Sequence, residues 1–408
     1  MTHATPTTPI PPILPIIPTT PITPKNSCQH INEITDLCSS CGNCLFACPV
    51  YNAELEEPLS PRGRVNLIKY LLDGRLKASS ASKKMISQCA LCGSCENICT
   101  NGVKFTEMMI DYRNKASQGS RIPFFKKIIL YFYQSLLFKK FAWVVDLFAA
   151  TPLRRKLTIP RRRKASISLK KLCSAAPQQE EYDILFFPGC VTTHFYPAII
   201  EKSVALLREH GFSVVIPEGY VCCGFPYLSQ GWQDKFVSLR QTNIALFSHF
   251  KFKYLVVPCG TGAMAFQKYY EWGPNQTKPF EIFELTQFFY THMNDAHIKE
   301  NFVEHSGEKV TWHDPCHNVK SLGLGAAPRH FLKQLGEQFV DDKSALCCGF
   351  AGIFSVGFPA TSKKILHKKV AKLTELGAHT VVTACPGCYM HLRENLDNKE
   401  VKFFTDMF

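Results

Sequence analysis

Short apolar runs alternate with amphipathic stretches through the C-terminal half of the chain. Four strand-like runs end shortly before a cysteine: Asp183-Ile-Leu-Phe-Phe187, Tyr254-Leu-Val-Val257, Val310-Thr-Trp312 and Thr380-Val-Val-Thr383. Stretches with apolar residues at helical spacing lie between them, such as 199–210 and 362–376. Strands that alternate with helices predict two α/β lobes with parallel sheets. The cysteines then fall at the carboxyl ends of strands, the edge where open α/β sheets bind ligands.

The segment before residue 118 carries helical patterns instead. Ser60-Pro-Arg-Gly-Arg64 is predicted to open a helix that continues to Leu72, and a second helix is predicted from Ala81. These helices flank two cysteine runs of identical spacing, Cys38-x-x-Cys41-x-x-Cys44-x-x-x-Cys48 and Cys89-x-x-Cys92-x-x-Cys95-x-x-x-Cys99. Pro49 closes the first run, and Thr100 takes the place of that proline in the second. The spacing is typical of [4Fe–4S] ligands.

Forty residues separate the two runs, which is longer than in compact β-ribbon ferredoxins. The segment resembles the α-helical ferredoxin domain of respiratory iron–sulfur subunits. In the paired motif the fourth cysteine of each run ligates the other cluster. We therefore predict two [4Fe–4S] clusters, with Cys38, Cys41, Cys44 and Cys99 on the first and Cys48, Cys89, Cys92 and Cys95 on the second. Structural zinc is the alternative, but zinc typically uses two separated CxxC pairs, and the eight-cysteine double motif favours iron–sulfur chemistry.

A duplication runs through residues 181–408. Cys190, Cys222-Cys223-Gly224 and Cys259 recur as Cys316, Cys347-Cys348-Gly349 and Cys385, shifted by 126, 125 and 126 residues. The second copy ends in Cys385-Pro-Gly-Cys388, whereas the first reads Cys259-Gly-Thr-Gly262 and lacks one thiol. Buried structural thiols are the alternative to a ligand set, but packing does not explain recurring Cys-Cys-Gly triplets.

Two histidines and two further cysteines accompany these motifs. His313 and His317 flank Cys316, where each could tune or protonate the site or simply pack in the core. Cys28 and Cys173 fall outside every motif, and we expect free thiols there.

Composition and cysteine usage narrow the class of protein. The 408 residues are 46% hydrophobic and 20% charged, which is typical of a globular chain of two or three domains. The 19 cysteines are an odd number and cluster in ligand-like motifs, which predicts thiolate ligation in a reducing cytoplasm rather than a disulfide scaffold. No secretory signal or apolar run of membrane-spanning length is visible in the sequence.

The net charge of +14 is concentrated in one segment. Residues 121–171 hold fourteen Lys/Arg and one Asp, a net +13, among aromatic and aliphatic residues. This composition suits an interfacial helix on an anionic membrane, peripheral to the inner face of the cytoplasmic membrane, and equally suits a connector with solvated lysines. Because the rest of the chain is nearly neutral, we predict no nucleic-acid partner.

The sequence lacks the motifs of several catalytic classes. It contains no Walker loop, no nucleophile elbow and no convincing dinucleotide fingerprint. Gly323-Leu-Gly325-Ala-Ala-Pro328 is only a fragment of such a fingerprint, because Pro328 stands where the third glycine belongs. We therefore expect flavin or nicotinamide to be bound elsewhere than on this chain.

The Cys…CysCysGly…CysProGlyCys pattern resembles the cysteine-rich CCG domain. An N-terminal double-cluster ferredoxin followed by two CCG units is similar to the iron–sulfur subunits of glycolate oxidase and of anaerobic glycerol-3-phosphate dehydrogenase. Ser60-Pro-Arg-Gly-Arg64 looks more like the glycolate oxidase member, and 347–355 looks like the lactate-utilisation members. In heterodisulfide reductase, complete CCG motifs hold non-cubane clusters that act on a disulfide. The resemblance covers about residues 30–408.

This resemblance implies a third iron–sulfur cluster at most. Its ligands would be Cys316, Cys347, Cys348, Cys385 and Cys388. The broken first copy leaves a four-thiolate site, Cys190, Cys222, Cys223 and Cys259, as a weaker candidate.

The predicted fold class is α+β multidomain, an α-helical ferredoxin domain with two [4Fe–4S] motifs followed by two tandem α/β CCG repeats. The predicted boundaries are a Pro/Thr-rich disordered tail (1–26), the ferredoxin domain (27–118), a basic amphipathic connector (119–180), the degenerate first repeat (181–300) and the complete second repeat (301–408).

The resemblance further implies an electron-transfer subunit of a flavin-dependent 2-hydroxy acid dehydrogenase complex, of the glycolate or D-lactate type. FAD or FMN would be bound by a flavoprotein partner. This chain would pass electrons onward to an acceptor, such as a quinone reached through 121–171, and would not catalyse substrate oxidation alone. The glycerol-3-phosphate dehydrogenase subunit, a thiol–disulfide reductase subunit and a scaffold with structural metal remain as alternatives.

Overall fold

The computed structural model describes residues 28–118, 166–167, 172, 180–272, 279–293 and 308–408. The Pro/Thr-rich tail at 1–26, nearly all of the basic segment 121–171, and Cys173 lie outside these residues. The predictions about them therefore stay predictions.

Residues 28–118 form a helical unit. Its helices are α1 (Cys28–Asp36), α2 (Asn43–Ala47), α3 (Pro49–Glu54), α4 (Pro61–Leu72), α5 (Ser80–Ser87), α6 (Ser94–Asn97) and α7 (Phe105–Ser117). α4 begins where the sequence predicts, because Ser60 Oγ accepts the Gly63 N–H at 2.9 Å and Pro61 occupies the first turn. α5 is capped in the same way by Ser79 and Ser82.

The first α/β lobe is a four-stranded parallel sheet with strand order β2-β1-β3-β4. Its elements are β1 (Tyr182–Phe186), α8 (Cys190–Phe195), α9 (Pro197–Glu209), β2 (Val214–Val215), α10 (Phe225–Leu228), α11 (Gln233–Phe247), β3 (Phe252–Val257), α12 (Gly260–Lys268), β4 (Glu281–Glu284) and α13 (Leu285–His292). The central strands are buried on both faces, as parallel sheets require.

The second lobe repeats this topology with strand order β6-β5-β7-β8, again all parallel. Its elements are β5 (Val310–Trp312), a π-helical turn (His317–Ser321), α14 (Ala326–Leu332), β6 (Phe339–Val340), α15 (Ile353–Gly357), α16 (Pro359–Glu375), β7 (Thr380–Thr383), α17 (Pro386–Arg393) and β8 (Glu400–Phe403). Two successive parallel sheets agree with the α/β repeats expected from the sequence.

The duplication is visible at the ends of the strands. Cys190 follows the last residue of β1 by four positions, and Cys316 follows β5 by the same interval. Cys259 and Cys385 each follow their strand by two positions and precede α12 and α17 directly. Equivalent strands therefore deliver equivalent cysteines to the carboxyl edges of the two sheets.

All three units pack against one another. Ile184 and Tyr196 of the first lobe share a buried apolar cluster with Trp312 and Tyr389 of the second, and the two tyrosine rings are 4.9 Å apart, edge to face. The helical unit joins the first lobe through a second cluster that includes Met108. It reaches the second lobe through Gln88, whose amide donates to Thr361 Oγ1 at 2.9 Å. The carboxyl edges of the two sheets and Cys89 of the helical unit are thereby brought together.

Candidate functional site

The two cysteine runs adopt the same backbone turn. Ser40 and Leu91, at equivalent positions, have φ of 56° and 50°, and Gly42 and Gly93 have φ of 90° and 75°. Left-handed φ at a residue with a side chain costs about 1–2 kcal/mol, so a loop keeps it only where the surrounding structure enforces it. The turn curls each loop so that its first three cysteines surround a common pocket.

The pocket of the first run is completed by the last cysteine of the second. Cys38, Cys41, Cys44 and Cys99 line it together. Cys41 is exposed, and the hydrogen bond from the Asn43 N–H lowers the pKa of its thiol. This pocket, which we call pocket 1, therefore lies at the protein surface.

The pocket of the second run is completed by Cys48 of the first. Cys48, Cys89, Cys92 and Cys95 line it together. Burial raises the pKa of Cys48, and it raises the pKa of Cys92 to about 12. Thiols so buried ionise only when a cation offsets the charge, which is what cluster iron would supply. This pocket, which we call pocket 2, lies in the interior.

Backbone donors also fit thiolate ligands in pocket 2. The Tyr51 N–H points at Cys48 Sγ and the Leu91 N–H at Cys89 Sγ, each at 3.4 Å. Such bonds stabilise a charged sulfur and tune an iron–sulfur centre. The structure thus brings together the two four-cysteine sets named in the sequence analysis, while their role as cluster ligands remains a prediction.

Two buried arginines hold the loop of pocket 2. Arg64 donates to the backbone carbonyls of Leu59, Met85 and Gln88. Arg113 donates to Ser229 in the first lobe at 2.6 Å and to Cys89 O at 3.1 Å. Burial lowers the pKa of Arg113 to about 10, so its guanidinium is still charged at neutral pH. Arg64 closes the Ser60–Arg64 motif noted in the sequence, but nothing in the sequence pattern marks Arg113, because its carbonyl partners are distant in the chain.

The cysteines of both lobes line one cavity of about 160 Å³. Its thiols are Cys190, Cys222, Cys223 and Cys259 from the first lobe and Cys316, Cys347, Cys348, Cys385 and Cys388 from the second, together with Cys89 of pocket 2. The sequence motifs predict two separate sites, one in each lobe. The structure shows their carboxyl edges facing each other, which spacing along the chain does not reveal.

Thiols of the two lobes are in contact within this cavity. Cys385 accepts hydrogen bonds from Cys259 and Cys388, which hold its pKa well below the usual thiol value. Hydrogen bonds with Cys316 and Cys348 likewise hold the pKa of Cys347 well below the usual thiol value. Cys348 Sγ and Cys388 Sγ are 3.3 Å apart, too far for a disulfide. Two sulfurs on one tetrahedral metal ion would be about 3.8 Å apart, so this pair fits a shared ion with a small adjustment.

A buried histidine adds a nitrogen donor to this group. His313 is fully buried, and neither ring nitrogen has a hydrogen-bond partner among the described residues. Burial lowers its pKa to about 3, so the imidazole is neutral and able to ligate. Ligand atoms of His313, Cys348 and Cys388 lie within 4.8 Å of one another. An orphaned neutral imidazole beside these thiols fits a metal centre in the second lobe.

His317 has a connecting position instead. Its Nε2 lies 3.1 Å from Leu91 O in the loop of pocket 2, and its Nδ1 lies 2.8 Å from Thr261 Oγ1 in the first lobe. One imidazole thus joins all three units at the wall of the cavity. The sequence leaves packing and tuning of the site as alternatives for His317, and the structure adds this bridging contact.

The position of the missing thiol in the first lobe, Gly262, lies close to a valine side chain. A Cβ added at Gly262 would lie 3.0 Å from Val257 Cγ1. A cysteine there would require this valine to shift by a few tenths of an ångström. The four remaining thiols of the first lobe still face the cavity.

The fold and these cysteine groups define an iron–sulfur protein with a ferredoxin-type domain followed by two CCG repeats. The family model of a 4Fe-4S dicluster domain matches residues 34–103, and that of the cysteine-rich CCG domain matches residues 184–267 and 310–393. The chain belongs to the CCG-domain family of iron–sulfur proteins, which confirms the resemblance drawn from its motifs.

Similar proteins carry related names. The chain is 30% identical to lactate utilization protein A of Shouchella clausii, over 52% of this chain and 90% of that protein. It is 25% identical to the probable glycolate oxidase iron-sulfur subunit of Bacillus subtilis, over 87% of this chain and 88% of that protein. It is also 25% identical to one of the subunits of the fumarate reductase (CoM/CoB) of Methanothermobacter marburgensis, over 87% of this chain and 67% of that protein.

Among the helices in the described part of the chain, none is both long enough and apolar enough to span a bilayer.

Proposed function

We propose that this chain is the electron-transfer subunit of a flavin-dependent 2-hydroxy acid dehydrogenase complex, of the glycolate or D-lactate type. One observation carries the proposal: Cys89, Ala90 and Leu91 line both pocket 2 and the cavity between the lobes. The exchange of Cys48 and Cys99 between the two runs ties pocket 1 at the surface to pocket 2, and pocket 2 adjoins the cavity.

Two [4Fe–4S] clusters in pockets 1 and 2 would supply one-electron transfer. The residues around the two pockets provide access for a partner, exclusion of water and a nearby positive charge. Cys41 gives pocket 1 an edge at the surface, where a partner can approach. Leu91 and Phe105 exclude water from pocket 2, because both are nearly fully buried. The buried charge of Arg113 favours the more negative, reduced state of a centre on Cys89.

Apolar side chains around pocket 1 support its use as the entry point. Phe46, between Cys44 and Cys48, is 83% exposed, and Leu37 and Ile98, each one residue from a pocket cysteine, are 48% and 42% exposed. Exposed apolar patches mark surfaces that contact other proteins. We propose that the flavoprotein partner, which would hold FAD or FMN, docks here.

The name of the Bacillus subtilis relative supports the glycolate assignment, and that of the Shouchella clausii relative supports the lactate assignment. We place the complex in the cytoplasm, with contact to the inner face of the membrane and to a quinone through 121–171. Deleting 121–171 tests the proposed membrane contact, because unchanged membrane association of the shortened chain would contradict it.

The deciding experiment uses the anaerobically purified chain and a candidate flavoprotein partner, a flavin-binding 2-hydroxy acid oxidase sought among the neighbouring genes. Glycolate or D-lactate should bleach the iron–sulfur absorbance of this chain only when the flavoprotein is present. Iron should amount to about eight atoms per chain for two clusters, or about twelve with a third in the cavity. Zinc without iron, or no reduction by either acid, would contradict the proposal. Reduction by glycerol 3-phosphate instead would identify the related dehydrogenase subunit.

A thiol–disulfide reductase is the second candidate, favoured by the nine lobe cysteines around a single cavity. The name of the Methanothermobacter marburgensis relative is in keeping with it, as that protein belongs to a CoM/CoB fumarate reductase. The two functions can be distinguished by what happens to an added disulfide. A relay leaves added disulfides intact, whereas a reductase converts them to thiols when the chain is reduced electrochemically.

A further inference from the structure

A second cluster of ligand-type side chains lies apart from the cysteines, between α1 and α7. His30 Nε2 is 2.8 Å from Glu107 Oε1 and 3.7 Å from Asp111 Oδ2. All three ligand atoms lie within 4.8 Å of one another. Glu107 and Asp111 are one helical turn apart on α7, so both carboxylates face the same side of that helix.

Asp111 is the anomalous member of this cluster. Its side chain is fully buried, and neither carboxylate oxygen accepts a hydrogen bond from the described residues. Burial raises its pKa to about 7, and the nearby carboxylate of Glu107 contributes. A buried carboxylate without a hydrogen-bond donor is costly unless a cation offsets it. His30 Nε2, 3.7 Å from Asp111 Oδ2, is beyond hydrogen-bond reach.

The second ring nitrogen of the imidazole has a carboxylate nearby. His30 Nδ1 lies 3.7 Å from Glu33 Oε2, one turn along α1, which is an ion-pair distance and longer than a hydrogen bond. Metal-bound histidines usually direct their second ring nitrogen at a carboxylate, and a small rotation of the Glu33 side chain would bring it within reach. His30 and Glu107 are 18% and 17% exposed, so the site has a path to solvent while Asp111 forms its floor.

We propose that His30 Nε2, Glu107 and Asp111 bind one divalent first-row cation of the zinc, manganese or ferrous type, separate from any iron–sulfur cluster. Ligand atoms about 2.1 Å from a tetrahedral ion lie about 3.4 Å apart, and the observed separations of 2.8 and 3.7 Å bracket this value. One imidazole and two carboxylates are a donor set that these metals accept. Water would complete the coordination on the exposed side.

The site would connect the two flanks of pocket 1. α1 ends at Asp36, two residues before Cys38, and α7 begins at Phe105, shortly after Cys99. Cys38 and Cys99 come from different cysteine runs and meet only in pocket 1. A cation held between α1 and α7 would fix the spacing of the helices that carry both ends of this ligand set.

Mn²⁺ is the suitable probe, because it prefers oxygen and nitrogen ligands over thiolates. The full chain, purified anaerobically with oxidised clusters and treated briefly with a chelator, is titrated with Mn²⁺. The six-line signal of free Mn²⁺ is recorded by EPR at room temperature, where iron–sulfur signals are too broad to interfere. We expect one tightly bound equivalent, released by Zn²⁺. Asp111→Asn and His30→Gln should each lose at least tenfold in affinity.

Asp36→Asn is the matched control, since Asp36 lies on α1 and pairs with exposed Lys69 outside the cluster. It should bind Mn²⁺ like the unaltered chain. Thermal unfolding without added metal gives a second readout: Asp111→Asn should then equal or exceed the unaltered chain in Tm, because it removes an uncompensated buried acid. Absence of a tight equivalent in the unaltered chain, or tight binding retained in Asp111→Asn, would overturn the proposal. A metal-free Tm lowered by Asp111→Asn would also count against it.

Discussion

Pockets 1 and 2 have the same loop in opposite surroundings. Both turns place left-handed residues at the same two positions, and each exchanges its fourth cysteine with the other. Yet Cys41 is exposed with a lowered pKa, whereas the equivalent Cys92 is buried with its pKa raised to about 12. Local sequence therefore determines the geometry of the ligand turn, and the packing of the lobes determines its environment. The predictions that follow test this contrast.

The largest effect is expected from removing equivalent thiols. Cys92→Ser should abolish the centre of pocket 2, with loss of about four irons per chain, and should disconnect pocket 1 from the cavity. Cys41→Ser should affect pocket 1 alone and leave the interior centre reducible. Iron analysis and low-temperature EPR of both variants provide the measurement. Identical EPR spectra from the two variants would show that the two environments do not matter.

Oxidants should distinguish the pockets without any substitution. Because pocket 1 has an exposed cysteine and pocket 2 does not, ferricyanide should destroy the first centre while the second persists. Iron release followed in time should be biphasic, with Cys92→Ser protein retaining only the fast phase. A single phase of iron release in the unaltered chain would contradict the expected difference in exposure between the two pockets.

A smaller effect is expected from replacing the arginines beside the two loops, and we expect replacement of Arg113 to cost more stability than replacement of Arg62. Arg113→Met leaves buried carbonyls in the loop of pocket 2 without donors, and we expect a loss of about 3 kcal/mol in the free energy of unfolding. Arg62, which donates to Ser40 O from an exposed position, should be replaceable with little effect on Tm.

Arg113→Lys separates charge from hydrogen bonding. The lysine keeps the buried charge but cannot reach several carbonyls, so stability should fall while the reduction potential of the second centre stays near its original value. Arg113→Met should lower that potential as well. Redox titration followed by EPR distinguishes them, and equal potentials in the two variants would show that the charge has no role.

The smallest effect is expected at the turn glycines. Gly42→Ala and Gly93→Ala each place a side chain at left-handed φ, which should cost about 1 kcal/mol in either loop. The added Cβ at position 42 would approach the flexible end of Arg62, and at position 93 it would make ordinary contact with Lys320. Similar Tm decreases for both would confirm that the turns are equivalent. A much larger decrease for one would show that its surroundings strain the loop.

Much of this arrangement was predictable because it depends on short intervals in the chain. The strand ends, the 126-residue repeat and the helices opened at Ser60 and near Ala81 follow from periodicity and capping. The 4Fe-4S domain and the tandem CCG repeats are confirmed by their family models. The number of clusters and their ligand sets remain predictions, which the convergence of the cysteines supports.

The shared cavity was not predictable, because it depends on how two lobes face each other. Cys259 and Cys385 are 126 positions apart in the chain, yet their thiols are in contact. The hydrogen bonds of Arg113 were not predictable either, since its carbonyl partners lie in the helical unit and in the first lobe. Left-handed Ser40 and Leu91 were missed because such conformations are usually glycine positions.

The short helix α3 has a consequence for how the protein matures. It starts directly after Cys48, and at its other end Glu54 accepts hydrogen bonds from Thr361 and Lys364 on α16 of the second lobe. Nascent chains emerge N-terminus first, so residues 28–118 are synthesised well before this lobe exists. Until α16 has folded, Glu54 lacks both of these partners, and α3 is held by contacts inside the helical unit, such as the bond from the Asn52 amide to Phe46 O. Cys48, at the start of α3, is then less firmly positioned. Iron insertion at the inner site is therefore expected to wait for synthesis of the C-terminal lobe, whereas the outer site can be filled earlier.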